Sequence, residues 1–236
     1  MTIWKAVEHE DLGAIEAYAR NGGDLEVGAS KLGKTPLLHA LILKKKESYV
    51  KLLSLGASPN AICRGGSTTP ANSAVIHHAA LEPDSFWLRA ALESRGDPDL
   101  MNDGEGMSKG RPLCFAIAGK GRIANVKLLC EHGADVNAPI DHLGLTALHE
   151  AAGKNFEIVH YLLERGADVA EPRPVHERNT FIYSIRQKKP KSYVNPEEKK
   201  WCAAVWDWLR SHGKDPEKAK WNGSKWTWEP DEQFRR

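Results

Sequence analysis

The stretch DHLGLTALHEAAGKNFEIVHYLLERGADV, residues 141–169, has the pattern of two short helices joined by a tight turn. In its second half, the apolar residues from Ile158 to Leu163 recur at the spacing of one helix face. Thr146 stands where an N-cap hydroxyl accepts an early helical amide, and Gly166 follows the last turn, where the chain needs a left-handed residue. One such helix pair cannot bury its apolar face alone, so the sequence predicts that neighbouring pairs stack.

Two short motifs of this stretch recur along the chain. The first is a GAD-like segment after the second helix, whose glycines recur at intervals of 33–47 residues: Gly22, Gly56, Gly96, Gly133, Gly166 and Gly213. The second opens the first helix and is present as KTPLLHAL at 34–41, VIHHAA at 75–80, RPLCFAI at 111–117 and LTALHEAA at 145–152. Correlated recurrence of both motifs predicts a chain of repeated helix pairs.

These motifs resemble those of the ankyrin-repeat family, and the likeness covers nearly the whole chain. The resemblance implies an all-α fold, an ankyrin-repeat solenoid of stacked helix-turn-helix units with β-turn fingers. It also implies that His149, and His77 or His78 at the equivalent site, bridge backbone groups of neighbouring turns. The units that we expect, with degenerate ones at the two ends, are 1–26, 27–60, 61–100, 101–137, 138–169 and 170–216.

The last 36 residues contain six of the eight tryptophans. Asn195 and Pro196 are typical of a helix start, and the apolar stripe of that helix is expected to be Trp201, Val205 and Trp208 or Leu209. The pair Asn222-Gly223 is a turn signal between tryptophans and predicts a small hairpin. We expect residues 217–236 to cap the last repeat; the alternative is that their aromatic side chains anchor a partner.

Composition narrows the classes of protein. Hydrophobic residues make up 41% and charged residues 27%, which is ordinary for a folded chain, and the formal net charge is +2. The N-terminus lacks the pattern of a signal peptide, and no apolar stretch is long enough to span a bilayer. Four widely separated cysteines indicate reduced thiols. The expected location is cytoplasmic, although a chain whose export signal had been removed would look the same.

The sequence contains no recognisable motif for catalysis or cofactor binding. His149-Glu150 is followed by Ala-Ala-Gly, so the second histidine of a zinc-binding HExxH is missing. The segment AIAGKGR at 116–122 lacks the glycine-lysine spacing that wraps a phosphate. We therefore expect no enzyme activity, no cofactor and no metal; an active site assembled across several repeats is the remaining alternative.

Departures from the repeat suggest where a partner binds. Long fingers at 61–74 and 101–110 and a long connection at 187–195 interrupt the pattern, and insertions in repeat proteins fall in loops on one face. The fingers lean basic, while the second helices carry more acid, which favours a partner with an acidic surface over a merely solvated one. The expected partner-binding residues are Arg64, Thr68, Lys109, Arg111, His142, Leu143, Leu145, Lys154 and Arg178.

The predicted function is that of a monomeric protein-binding module, which occupies a macromolecular partner through its concave finger face and acts as an inhibitor or adaptor. One specific alternative, by analogy of fold alone, is an immunity protein that neutralises a cognate toxin. A second alternative is nucleic-acid binding through the basic fingers, against which the net charge of only +2 counts. No membrane association is expected.

Overall fold

The computed structural model describes residues 2–28, 33–63, 72–102, 110–119, 123–139, 145–170, 180–222 and 226–227. Within these ranges the chain forms twelve α-helices and four two-residue strands. They belong to two compact units, residues 1–134 and 135–236.

In the first unit, helices come in consecutive pairs that pack against neighbouring pairs. The first helices of the pairs contact one another in chain order, as do the second helices, so the pairs stack in two layers. Strands β1 (Ile62–Cys63) and β2 (Ser73–Ala74) pair antiparallel between the second and third helix pairs. The helices are α1 Ile3–Glu8, α2 Leu12–Arg20, α3 Pro36–Ile42, α4 Lys46–Ser54, α5 Val75–Leu81, α6 Phe86–Glu93, α7 Pro112–Ala118 and α8 Ile123–Glu131.

The second unit repeats this arrangement and ends differently. Helix α9 packs on α11, the first helix of the next pair, and α10 packs on α12, the second helix of that pair. A 3-10 turn lies between α11 and α12, and a hairpin of β3 and β4 follows them. The elements are α9 Ala147–Ala152, α10 Phe156–Glu164, α11 Phe181–Arg186, the 3-10 turn Pro190–Ser192, α12 Pro196–Ser211, β3 Lys220–Trp221 and β4 Trp226–Thr227.

Small and large apolar side chains divide the core between the two layers. Alanines such as Ala79 and Ala151 are fully buried in the first helices, where their size allows neighbouring helices to approach closely. Between second helices, Tyr49 and Trp87 are buried edge to face, with ring centroids 5.1 Å apart, and the Tyr49 hydroxyl donates to the Trp87 carbonyl oxygen at 3.2 Å. The stacked helix pairs predicted from the sequence are therefore present in both units.

The starts of the first helices follow the predicted capping chemistry. The Thr35 hydroxyl accepts from the Leu38 N–H at 3.2 Å, and the Thr180 hydroxyl accepts from the Tyr183 N–H at 3.1 Å. At Thr146, the backbone N–H instead donates to Nδ1 of His149 at 3.2 Å, and the threonine hydroxyl lies 3.0 Å from that nitrogen. The imidazole therefore takes part in capping α9.

The tail matches its predicted elements and part of its predicted helix face. The Asn195 side chain accepts from the amide of Glu197 at 2.9 Å, and the hairpin pairs Trp221 with Trp226. The buried face of α12 consists of Cys202, Val205, Trp206 and Leu209. The predicted stripe was right at Val205 and at Leu209, the second of the two alternatives, and wrong at Trp201, which is only half-buried.

The turns after the second helices require a left-handed residue, and one of them departs from the sequence pattern. Gly56, Gly133 and Gly166 have φ between 83° and 96° there. In the third pair, Arg95 takes this conformation with φ 67°, and Gly96 does not. Gly96 is needed for space, since a Cβ on it would lie 2.7 Å from the Ala91 carbonyl oxygen. The repeat glycine assigned at 96 is therefore one residue away from the structural equivalent.

We expect Gly96→Ala to lower the free energy of unfolding by about 2–3 kcal/mol, because the new methyl group meets fixed backbone. Gly133→Ala, with open space around it but φ 89°, should cost about 1 kcal/mol. Arg95→Gly should stabilise the protein by about 0.5 kcal/mol by relieving the left-handed strain. Urea unfolding of the three variants measures these changes; equal losses for the two alanine variants would contradict the assignment.

Candidate functional site

The fingers are the connections that lead from one helix pair to the next, and their ends are fixed by backbone pairing. Residues 64–71 lie between β1 and β2, whose register pairs Ile62 with Ala74. Residues 103–109 lie between Asn102 and Gly110. The Asn102 N–H donates to the Gly110 carbonyl oxygen at 3.2 Å, and the Gly110 N–H donates to Asn102 Oδ1 at 2.7 Å. The stems of both long fingers are therefore held in place.

An asparagine at the start of a finger clamps the turn of the following helix pair. Asn137 Nδ2 donates to the Gly166 carbonyl oxygen at 3.1 Å, while its Oδ1 accepts from the Asp168 N–H at 2.8 Å. Asn60 makes the same two bonds, with the Arg95 carbonyl oxygen at 2.9 Å and the Asp97 N–H at 2.8 Å. Each amide thus binds both an acceptor and a donor of the neighbouring backbone. At Asn60, within the first unit, this clamp fixes the spacing between successive helix pairs.

The first helix pair uses a carboxylate for the same purpose. Glu26 Oε1 accepts from the Ser58 N–H at 2.7 Å, at the position that corresponds to Asp97 and Asp168 in the later turns. Burial raises the pKa of Glu26 above its ordinary value. A single acceptor here replaces the acceptor and donor of an asparagine.

The aspartate of the GAD motif shapes the turn itself. Asp168 Oδ1 accepts from the N–H of Ala170, two residues later, at 2.9 Å. This bond explains why the residue two positions after the left-handed one is short and polar throughout the chain. The same contact is made by Asp24, Ser58, Asp97, Asp135 and Asp215.

His77 bridges two backbone segments, as the resemblance implied. Its Nδ1 accepts from the Ala74 N–H at 3.1 Å, and its Nε2–H donates to the Leu100 carbonyl oxygen at 2.9 Å. His78 is also buried, with Nε2 2.9 Å from the Ser73 hydroxyl. Burial lowers the pKa of each imidazole from 6.5 to about 4. Both rings are therefore neutral and structural at neutral pH.

Three of the nine predicted partner-binding residues fall in the described ranges. Arg111 is half-buried before α7, and its guanidinium donates to the Asp99 carbonyl oxygen, so it supports the stem of its finger. Leu145 is half-buried before α9, whereas Lys154 is exposed beyond the other end of α9 and pairs with Glu150. Leu145 and Lys154 are not brought together. Outside the described residues lie Arg64, Thr68, Lys109, His142, Leu143 and Arg178.

The first helices of the first unit carry a polar and aromatic cluster that sequence reasoning missed. Trp4 and His39 meet edge to face with ring centroids 5.4 Å apart, and Lys34 Nζ lies 5.8 Å from the Trp4 ring centroid. His39 lies between two charges, with Nδ1 3.3 Å from Lys34 Nζ and Nε2 3.3 Å from Glu8 Oε1. Burial and the Lys34 ammonium lower the pKa of His39, against the opposing effect of Glu8.

This cluster was missed because its members are far apart in sequence and belong to different helices. A tryptophan before a lysine in α1 gives no sign of the histidine that it will meet in α3. Glu8 remains 46% exposed and Lys34 is half-buried, so both charges are available at the surface. The cluster offers a mixed aromatic and charged surface of the kind that proteins use to bind other proteins.

Three further observations concern the described part of the chain. Across these residues, no group of three or more histidine, cysteine or acidic side chains is arranged to hold a metal ion. None of the helices in the described ranges combines the length and apolarity of a transmembrane segment. All four cysteines are free thiols.

Removing the clamp should loosen one finger selectively. We expect Asn137→Ala to lower the free energy of unfolding by about 2 kcal/mol, because two hydrogen bonds to backbone are lost. Amide exchange at Asp168 should accelerate. Asn21→Ala is a matched control, since the Asn21 side chain makes no hydrogen bond with the described residues, and should change stability by less than about 0.5 kcal/mol. Unchanged protection at Asp168 would rule out the clamp.

Acid should destabilise the protein through its buried imidazoles. Because the pKa of His77 is lower in the folded state than when unfolded, its stabilising contribution is complete above about pH 6.5 and is lost as pH falls toward 4. The full difference corresponds to roughly 3 kcal/mol. Urea unfolding between pH 7 and 5 measures the slope, which His78→Gln should reduce and His9→Gln, at an exposed site, should not. An NMR midpoint near 6.5 for either buried ring would contradict this.

This chain is similar to a family model, to a curated sequence and to solved structures. Residues 76–172 match the family model described as ankyrin repeats (3 copies). The chain is 34% identical over 142 residues to the Nuclear factor NF-kappa-B p105 subunit of Gallus gallus, an alignment that covers 58% of this chain. The chain spans 13% of the length of that curated relative.

Solved ankyrin-repeat structures resemble the fold over most of its length. The ankyrin repeat domain of Bcl-3, described as a unique member of the IkappaB protein family, is 24% identical with a TM-score of 0.65, covering 89% of this chain and 86% of its own. EF0377, an ankyrin repeat protein, is 24% identical with a TM-score of 0.63, covering 88% and 96%. The human ASB11 ankyrin repeat domain is 15% identical with a TM-score of 0.58, covering 88% and 83%.

These likenesses confirm the fold class expected from the sequence, an all-α ankyrin solenoid of stacked helix-turn-helix units. Ankyrin repeats are generally modules for protein–protein interaction and are typically not enzymes. The stacked helix pairs, the bridging His77 and the match over residues 76–172 together show that this chain contains ankyrin repeats.

Proposed function

We propose that this chain binds a partner protein through its fingers and the adjacent surface of the first helices, the face that the sequence indicates as concave. The observation that carries this proposal is that backbone-directed bonds fix the finger stems, at β1–β2 and at Asn102–Gly110. A loop whose ends are fixed loses less conformational entropy when it binds. Arg111 supports the Asn102–Gly110 stem through its bond to the Asp99 carbonyl oxygen. Leu145, which precedes α9, and the Trp4 cluster on α1 and α3 supply contact groups.

The partner that we propose has an acidic surface. Exposed acids on the second helices, such as Glu93, Glu131 and Glu164, lie away from the finger stems. The fingers contain the basic residues Arg64, Lys109 and Arg178, which are among those expected to bind the partner. This separation favours a negative surface opposite the fingers, because complementary charges speed association and fix the register of the complex.

In this proposal the chain acts by occupying its partner, as an inhibitor or an adaptor. We propose that it works as a monomer in the cytoplasm, where its four free thiols stay reduced. We also propose that residues 1–216 form six repeats and that residues 217–236 cap the last of them. A buried bond supports the cap, since Trp226 Nε1–H donates to the Thr180 hydroxyl at 2.8 Å.

Photo-crosslinking in cells of the native source tests the face. A benzophenone side chain at position 68 in the long finger, or at 143, should trap a specific protein, and the same side chain at 131 on α8 should not. With that protein purified, Arg64→Ala should weaken binding by about tenfold, whereas the matched Arg89→Ala on α6 should stay within about twofold. Affinity should fall with added salt.

The same experiment separates the alternatives. Crosslinking at 131 but not at 68 or 143 would refute the finger face. Capture that is lost after nuclease treatment would indicate nucleic-acid binding instead. A captured toxin whose activity is abolished by this chain would identify the immunity role, and loss of partner activity of any other kind would indicate an inhibitor rather than an adaptor.

A further inference from the structure

A cavity of about 430 Å³ lies between α11, α12 and the β3–β4 hairpin. None of the nine residues predicted to bind the partner is among its described lining residues. Its volume falls in the range of sites that hold small ligands or single anchoring side chains. Its lining includes Tyr183, Arg186, Lys189, Trp206, Glu217 and Trp226.

Two largely buried indole rings form part of the cavity wall. Trp206 is 2% exposed and its Nε1–H donates to the Lys188 carbonyl oxygen at 3.2 Å. Trp226 is 8% exposed and its Nε1–H donates to the Thr180 hydroxyl at 2.8 Å. Because both indole N–H groups already have acceptors, the rings offer the cavity carbon surface rather than donors. These walls suit a planar or apolar body.

Arg186 supplies a positive charge that pairs with no carboxylate of the described residues. Its guanidinium lies over the Trp226 ring, 5.2 Å from the centroid, and Nη1 donates to the Ala219 carbonyl oxygen at 3.3 Å. No carboxylate among the described residues lies within ion-pair distance of it. The one bond at 3.3 Å leaves most of its five N–H donors for another acceptor. Tyr183 adds a hydroxyl that makes no hydrogen bond with the described residues.

The other charges of the cavity cancel. Lys189 Nζ lies 3.1 Å from Glu217 Oε1, and Arg210 approaches the second oxygen of Glu217 at 3.7 Å from outside the lining. The described lining residues therefore have one net positive charge, at Arg186. A single guanidinium matches one carboxylate through two parallel bonds, whereas a doubly charged phosphate would lie beside Glu217 with only one cation to balance it.

We propose that this cavity is a binding site for a carboxylate carried on an aromatic or apolar body, held by Arg186 and enclosed by Trp206 and Trp226. The carboxylate belongs either to a free small molecule or to the C-terminus of a polypeptide. The site is independent of the finger face, so it stands whether or not the proposed partner binds there.

NMR titration of the full chain tests the site through the indole N–H resonances of Trp206 and Trp226. The probes are indole-3-propionate and a blocked tripeptide that ends in a free phenylalanine carboxylate, each compared with its amide. We expect saturable shifts with at least one acid and none with the matching amide. Saturation by indole-3-propionate alone identifies a small-molecule source, and saturation by the tripeptide identifies a polypeptide C-terminus.

Variants distinguish the contribution of the Arg186 charge to binding from an effect on folding. Arg186→Gln should weaken the acid by about tenfold, and Arg165→Gln, at an exposed arginine outside the cavity, should stay within about twofold. If Arg186→Gln unfolds, Arg186→Lys keeps the charge without the planar fork and should also bind more weakly. The proposal is overturned by equal shifts with acid and amide, by undiminished binding in the Arg186 variant that folds, by no saturation up to about 10 mM, or by displacement with equimolar inorganic phosphate.

Discussion

The turn that ends each second helix exposes backbone N–H and C=O groups, and at two of these turns an asparagine from earlier in the chain binds one of each. Asn60 and Asn137 make this contact with nearly the same distances, although they lie in different units. Apolar burial makes helix pairs adhere but does not specify their register, because contact between alanines and leucines tolerates sliding. A two-point hydrogen bond to backbone does specify it. At these two turns the directional contact therefore fixes the backbone that leads into the next finger.

Most of the polar side chains discussed above that recur in the repeat motifs bind backbone groups of this chain. His77, Asn137 and Asp168 all direct their side chains at backbone groups, and Arg111, predicted as a contact residue, does the same. A side chain already committed to backbone can contribute little new enthalpy to a partner. It contributes order, because a stem that does not move reduces the entropy lost on binding. Repeat-to-repeat variation is then left to the fingers, which is where the proposed contacts lie.

Helix pairs, helix starts and the hairpin could be predicted from the sequence because each depends on residues close together along the chain. Thr35 before Pro36 caps a helix whatever its tertiary surroundings. The left-handed conformation at Arg95 could not be predicted from the sequence, because the neighbouring Gly96 fits the glycine pattern. The structure distinguishes the two residues, since Arg95 has the positive φ and Gly96 lies close to the Ala91 carbonyl oxygen. Contacts between helices, such as that of Trp4 with His39, could not be predicted either, because one sequence is compatible with many pairings of side chains from different helices.

The aromatic tail shows how one set of contacts can serve two purposes. Sequence reasoning offered capping and partner anchoring as alternatives for these tryptophans, but a tryptophan has two separable parts. The Trp226 N–H is bonded to Thr180, the residue that also caps α11, and so ties the hairpin to the last repeat. Its ring lies under Arg186 and forms a wall of the cavity. Anchoring through the N–H fixes the ring, and a fixed ring is what a binding wall requires. The two interpretations are therefore compatible, since the hairpin that we propose as a cap also forms one side of the recess.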